Sequence, residues 1–241
     1  MDTIKIKKRN VKMIAHRGVS GLETENTCAA FISACNRSYW GIETDLYRTS
    51  DGRFVVFHDK TTMRLAGSDY NIEQTGYEKL KNLVLKDIDG SFIRTDLRIA
   101  LLEEYISICK KYDKKCILEF KSSFGKKEME EIFGIIESFH FSENVIPIGS
   151  LNDMILLREL RPGQPAQYLC RDLEKKLHET ADILAKNRLE LDIDFRYLTS
   201  KMLNCLHAKG VQINVWTCND PAEAEKLIDM GVDYITSDIL E

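Results

Sequence analysis

Eight short apolar runs recur along the 241-residue chain, each separated from the next by residues of helical or irregular character, and this alternation restricts the possible folds more than any other feature. The runs cover 11–16 (VKMIAH), 41–46 (GIETDL), 115–121 (KCILEFK), 144–150 (NVIPIGS), 166–171 (AQYLCR), 190–195 (ELDIDF), 211–217 (VQINVWT) and 234–239 (YITSDI). Most are apolar along their whole length, as parallel strands covered on both faces are, whereas half-exposed antiparallel strands alternate. Helical patterns fill 26–39, 101–112, 126–138, 152–160, 173–187, 199–208 and 221–230. Asp220 and Pro221 suit the cap and first position of the last helix, and Gly41, Gly210 and Gly231 stand where helices stop before strands. Strand–helix repetition on this scale predicts an α/β fold, a (β/α)8 TIM barrel. The sequence ends at Glu241 straight after the eighth strand, so the closing helix is expected to be missing or displaced.

The interval 47–114 breaks the rhythm. Asp51-Gly52, placed before the apolar 53–58 (RFVVFH), is a tight-hairpin signal, so 53–58 is expected to double back beside the second strand. Residues 59–100 read as a polar, irregular insertion facing substrate at the barrel mouth, within one domain spanning 1–241. A net charge of −4 excludes a bulk basic field for nucleic acid. Seven cysteines, odd in number and without a CxxC pair, argue for free buried thiols in a reducing compartment and against structural zinc. The basic start (Lys5, Lys7, Lys8, Arg9, Lys12) reads as a solvated edge; no signal-peptide core follows it, and no apolar run reaches the ~18 residues of a membrane span. A cytoplasmic location is expected. The sequence carries no signal of oligomeric state.

Barrels of this kind build their sites at the C-terminal ends of the strands, and ionisable residues collect there. The first strand ends in His16-Arg17-Gly18. The second holds Glu43 and Asp45 two apart, on one side, and the hairpin returns His58-Asp59 to the same end. The third barrel strand ends in Glu119-Phe120-Lys121 and the seventh in Trp216-Thr217. Three converging carboxylates repel one another and call for a cation; all-oxygen ligation favours Mg²⁺ or Ca²⁺. Counting Glu43, Asp45 and Glu119 against one divalent ion, Arg17 and Lys121 leaves one positive charge, which a phosphodiester would neutralise. Arg17 offers a planar fork for phosphate oxygens, and His16 with His58 form an acid/base pair. Blander alternatives accompany each residue. Glu43 and Asp45 can be a buried ion-pair set, Glu119 and Lys121 can pair with each other, Trp216 can be core, and a strand-end histidine can be merely hydrogen-bonded.

The stretches IAHRG (14–18), ENTCAAF (25–31), GIETDLYRTSDGRFVVFHD (41–59), LEFK (118–121), VWTCND (215–220) and GVDYITSD (231–238) together resemble the glycerophosphodiester phosphodiesterase family. The resemblance implies a distorted (β/α)8 barrel that hydrolyses glycerophosphodiesters to an alcohol and sn-glycerol 3-phosphate. By position it implies His16 and His58 as acid/base residues and Glu43, Asp45 and Glu119 as ligands of one divalent cation. It further implies Arg17 as the phosphate contact, Lys121 as a phosphate or glycerol contact, and Trp216 as a wall of the substrate pocket. Departures fall at turns: Thr24 replaces a proline, Ala100-Leu101 replace Pro-Thr, and the chain reads Thr236-Ser237-Asp238-Ile239-Leu240 where T-D-x-P is usual. Two other functions fit the same residues. One is a lysophospholipase D activity at the same site, needing an apolar groove near Trp216 and 59–100; the other is a barrel that binds a phosphodiester without turnover. Among remaining residues, Asn26 reads as a helix cap, with Glu25 beside it, and Asp59 as an orienter of His58 or a turn cap. Asp192 and Asp194 could line the mouth, while His140, His178 and His207 read as peripheral.

Overall fold

The computed structural model describes residues 2–241. Eight parallel strands close into a ring: β1 (Lys12–Ala15), β2 (Gly41–Arg48), β4 (Lys115–Phe120), β5 (Val145–Gly149), β6 (Gln167–Cys170), β7 (Glu190–Asp194), β8 (Ile213–Trp216) and β9 (Tyr234–Ser237), with β1 pairing both β9 and β2. All eight fall within the apolar runs, apart from an extension of β2 by two residues. The ninth strand, β3 (Phe54–Val56), pairs antiparallel with β2 as the Asp51-Gly52 turn requires, matching Leu46 to Val56 and Arg48 to Phe54.

Strand parity sorts the side chains. Met13, Ala15, Ile42, Leu46, Cys116, Leu118, Leu191, Ile193, Ile213, Val215 and Ile235 face outward into the main core beneath the helices. Those helices are α1 (Cys28–Cys35), α4 (Leu102–Lys111), α5 (Lys126–Ser138), α6 (Leu151–Leu160), α7 (Leu177–Asn187), α8 (Ser200–His207) and α9 (Pro221–Met230). The alternate set faces inward. Low in the barrel it is apolar: Ile14, Ile117, Ile146, Ile148 and Tyr234 form a separate cluster with Trp40 and Leu169 against it. Lys12 caps this floor, its Nζ 4.8 Å from the Trp40 ring centre and 4.7 Å from that of Tyr234. One turn higher the same parity delivers charged residues to the rim.

The 59–100 excursion is better organised than its polar composition suggests. It contains two single-turn helices, α2 (Met63–Ala66) and α3 (Tyr77–Leu80), and buries Leu65, Ile72, Leu80, Leu85, Leu97 and Ile99 against Tyr47, Val55 and Phe57. These apolar residues follow neither a helical nor a strand period, which is why they read as loop. Among the described residues no helix is long and apolar enough to cross a membrane.

Candidate active site

A cavity of about 280 Å³ opens at the C-terminal end of the barrel, lined by His16, Arg17, Glu43, His58, Glu119 and Lys121 on one side and Ile148, Leu169, Asp192, Trp216, Thr217 and Thr236 on the other. Every residue singled out from the sequence as acid/base, phosphate contact or pocket wall lies there. Asp45 adjoins the lining, completing with Glu43 and Glu119 a cluster whose nearest carboxylate oxygens all fall within 4.8 Å of one another. Register explains this convergence: Asp45 on β2 sits directly opposite Glu119 on β4, and Glu43 lies one inward position lower.

The acidic cluster is short of partners. Ten buried side-chain polar atoms among the described residues lack a hydrogen bond, and five belong to this site: Glu43 Oε1, Asp45 Oδ1, Arg17 Nε, Asp192 Oδ1 and Trp216 Nε1. Native interiors rarely leave such atoms unpaired, so their concentration here fits a ligand-binding site. Lys121 supplies part of the counter-charge, its Nζ donating to Glu119 Oε1 at 2.8 Å and lying 3.4 Å from Asp45 Oδ1. Burial first, then repulsion by Asp45 and Glu119, hold the Glu43 carboxyl well above the usual carboxylate range, and Arg17 offsets only part of this. Burial and Asp45 raise Glu119 in the same way. Three oxygen donors, two with unpartnered atoms, fit a hard divalent cation.

The turn after β1 is bent to serve this cluster. Arg17 and Gly18 are both left-handed, with φ of +53° and +78°, and the Arg17 N–H thereby donates to Glu43 Oε2 at 2.8 Å. A Cβ on Gly18 would stand 2.6 Å from Ala30 Cβ and 2.7 Å from the Ala30 carbonyl carbon, so only glycine fits. The Arg17 guanidinium donates to Glu25 Oε1 at 2.9 Å, and its Nε lies 3.3 Å from Asp45 Oδ2.

Both histidines are held through Nδ1. His16 Nδ1 lies 2.6 Å from Asp238 Oδ1, and His58 Nδ1 lies 2.7 Å from Asp59 Oδ1. With Nδ1–H donated to a carboxylate, Nε2 of each ring is left for the cavity. Hydrogen bonds to Asp238 from His16, Ser20 and Asn219 outweigh the upward push of burial and take its carboxyl down to about 2. Arg64 and His58 similarly bring Asp59 below its usual range against the effect of burial.

The sequence matches the glycerophosphoryl diester phosphodiesterase family over residues 16–241. The chain belongs to this family. It is a phosphodiesterase of that class. A Caldanaerobacter subterraneus glycerophosphodiester phosphodiesterase is 29% identical to it over 233 residues, covering 94% of this chain and 93% of the relative. A human lysophospholipase D is 27% identical over 261 residues, covering 94% and 83% respectively. The solved structure of the Thermotoga maritima glycerophosphodiester phosphodiesterase superposes with a TM-score of 0.78 at 28% identity, covering 95% of this chain and 94% of that one.

Two readings change. Asn26 is not the cap of α1; Thr27 is, its hydroxyl accepting from the Ala30 N–H at 3.2 Å. Asn26 is buried and left-handed (φ +56°), donating to Asp45 Oδ2 at 2.7 Å and accepting from the Thr44 hydroxyl at 2.6 Å, so it props the acidic cluster. Asp194 does not line the cavity: it caps the turn after β7 and pairs with Arg196 at 2.6 Å, whereas Asp192 does line it. Sequence reasoning missed Asp238, although Tyr234, Thr236 and Asp238 share one parity on the last strand. It also missed the chain Arg17–Glu25–Arg64–Asp59–His58. Arg64 donates to Glu25 at 2.7 and 2.8 Å and to Asp59 at 2.6 Å, tying the excursion to both histidine-bearing segments. Thr24 donates to the Lys86 carbonyl at 2.9 Å and adds a second tie to the excursion.

Proposed function

We propose that this family member hydrolyses glycerophosphodiesters to an alcohol and sn-glycerol 3-phosphate, with one divalent cation, Mg²⁺ or Ca²⁺, held by Glu43, Asp45 and Glu119. The observation that carries the reading is the pair of Nδ1-anchored imidazoles beside a cation-demanding carboxylate cluster. The cation, when bound, supplies Lewis-acid stabilisation of charge on the phosphoryl oxygens. Arg17 and Lys121 hold the phosphate and offset the charge that builds on its oxygens in the transition state. Nε2 of one histidine takes the proton of the attacking hydroxyl, from water or from the neighbouring glycerol hydroxyl, as the new P–O bond forms. Nε2 of the other donates a proton to the leaving alkoxide as the old bond breaks. Asp238 and Asp59 keep each ring in the tautomer that leaves Nε2 available. Trp216 and the apolar side chains beside it exclude water from one wall.

The reading treats 1–241 as one domain, supported by Tyr47 on the barrel strand β2 and Val55 on its hairpin partner β3 both belonging to the excursion's apolar cluster. It places the protein in the cytoplasm, supported by seven free cysteines, of which Cys35, Cys109, Cys116 and Cys218 are buried. Release of glycerol 3-phosphate from glycerophosphocholine, followed in a coupled assay with and without chelator, tests the activity. His16→Ala and His58→Ala should each lower kcat by at least ~100-fold with the fold intact. A variant retaining near-full rate would refute the acid/base assignment.

A further inference from the structure

The acidic cluster and the two imidazoles occupy one arc of the ring, leaving Asp192 on the far side with no role in the chemistry above. In strand order β7 stands four places from β2, directly across the barrel, between β6 and β8. Its cavity neighbours there are Leu169 on β6 and Trp216 on β8. Asp192 is 5% exposed, yet its Oδ1 accepts nothing, and Trp216 Nε1 donates to nothing. An ionisable group on an otherwise apolar wall, nine-tenths buried and unpartnered, is costly unless a ligand completes it.

Resting on the proposed phosphodiesterase reading, we infer that Asp192 is a specificity residue whose carboxyl hydrogen-bonds an aliphatic hydroxyl of the substrate. The chemistry of the wall selects a hydroxyl over an ammonium group. A hydroxyl both donates and accepts, and the wall offers one unsatisfied carboxyl oxygen and one unsatisfied indole N–H; an ammonium has only donors and would leave the indole unpaired. Charge agrees. Three acids, one divalent cation, Arg17, Lys121 and a singly charged phosphodiester already sum to zero, so a neutral Asp192 facing a neutral partner keeps the closed site balanced. Burial favours that neutral form. Hydroxyls are present on the glycerol half of every such substrate and on the headgroup of some, and the two sources separate experimentally.

The test compares kcat/KM of wild type, Asp192→Leu and Asp192→Asn on three diesters: glycerophosphoglycerol, glycerophosphocholine and bis(p-nitrophenyl) phosphate, which has no aliphatic hydroxyl. Leucine should lower kcat/KM by roughly ten- to a hundred-fold on hydroxylated substrates and leave the nitrophenyl diester within a few-fold. Loss on both glycerol diesters assigns the contact to the shared glycerol half; loss on glycerophosphoglycerol alone assigns it to the headgroup. Asparagine, which keeps an acceptor and a donor, should stay within a few-fold of wild type and provides the readout should the leucine variant fail to fold. Equal loss on all three diesters, no loss on any, or loss confined to glycerophosphocholine in the asparagine variant overturns the inference. A wild type inert toward both glycerol diesters overturns the functional reading itself.

Discussion

Glu43→Gln separates the cost of the acidic cluster from its use. Glu43 is 4% exposed, and the three carboxylates approach within 4.8 Å. At an effective dielectric constant of about 20, each fully ionised pair at that spacing repels by about 3.5 kcal/mol, which one arginine and one lysine only partly relieve. Without a cation, Glu43 is therefore held above its ordinary value of 4.5, by burial first and by Asp45 and Glu119 next. The sign follows from linkage: a carboxyl with a raised folded value contributes stability that is complete below about 4.5 and is lost as pH rises through that folded value. Cation-free wild type should lose stability as pH climbs above the carboxylate range, and the glutamine variant should show a flatter profile and melt at or above wild type near neutrality. Adding Mg²⁺ or Ca²⁺ at about a hundred times its Kd should stabilise wild type by about 2.7 kcal/mol, or about 5 to 11 °C in Tm for a chain this long. The variant, one ligand short, should keep only a small fraction of that shift. Thermal melting across pH, with chelator and with each ion, reads all of this. A wild type whose Tm ignores both ions, or a variant that is destabilised yet retains the full shift, would refute the reasoning.

Other outcomes follow from neighbouring contacts. Asp238, with its carboxyl taken down to about 2 from an ordinary 3.8, contributes stability present above that ordinary value and lost as pH falls toward the folded one. Acid unfolding of wild type should show a loss of about 2 kcal/mol across this window that Asp238→Asn lacks. The same variant should lower kcat more than it raises KM, because it frees the His16 ring without touching the phosphate contacts; an unchanged kcat would count against an orienting role. Gly18→Ala combines a left-handed backbone with a 2.6 Å collision at Ala30 and should cost about 2–4 kcal/mol in chemical denaturation; a cost near zero would mean the turn relaxes freely. Arg64→Ala should raise KM and loosen the excursion, detected as faster amide exchange over 59–100, since Arg64 joins Glu25 to Asp59.

The barrel was legible because parallel strands buried on both faces leave an apolar signature independent of distant contacts. Charges breaking such runs near their C-terminal ends were legible for the same reason: Glu43, Asp45 and Glu119 have no place in an apolar strand unless something compensates them. Asn26 was misjudged because its type and position before a helix satisfy a local rule. Its left-handed backbone instead turns the amide toward Asp45, a partner 19 residues away that no local pattern specifies. Asp238 pairs with His16 across 222 residues and is brought there only by closure of β9 onto β1. Residues proposed to touch ligand left a mark in the sequence, whereas most of those that aim them did not, because aiming is a property of ring closure.

Ring closure also bears on the division of labour within the cavity. β1, β2, β4 and the β3 hairpin form one contiguous arc, and they carry both histidines, all three cluster acids, Arg17 and Lys121. The excursion is inserted into this arc and braces it through Arg64 and Thr24. The remaining strands, β5 to β9, contribute Ile148, Leu169, Asp192, Trp216, Thr217 and Thr236, a wall with one ionisable group. On the proposed reading, reaction chemistry and recognition of a substrate hydroxyl rest on different halves of the barrel. A substitution on the β5–β9 wall can alter which diester fits without disturbing the cluster that activates it, whereas a change in the β1–β4 arc strikes catalysis and cation binding together. Asp192, alone on its wall, is where such a change in substrate preference would begin.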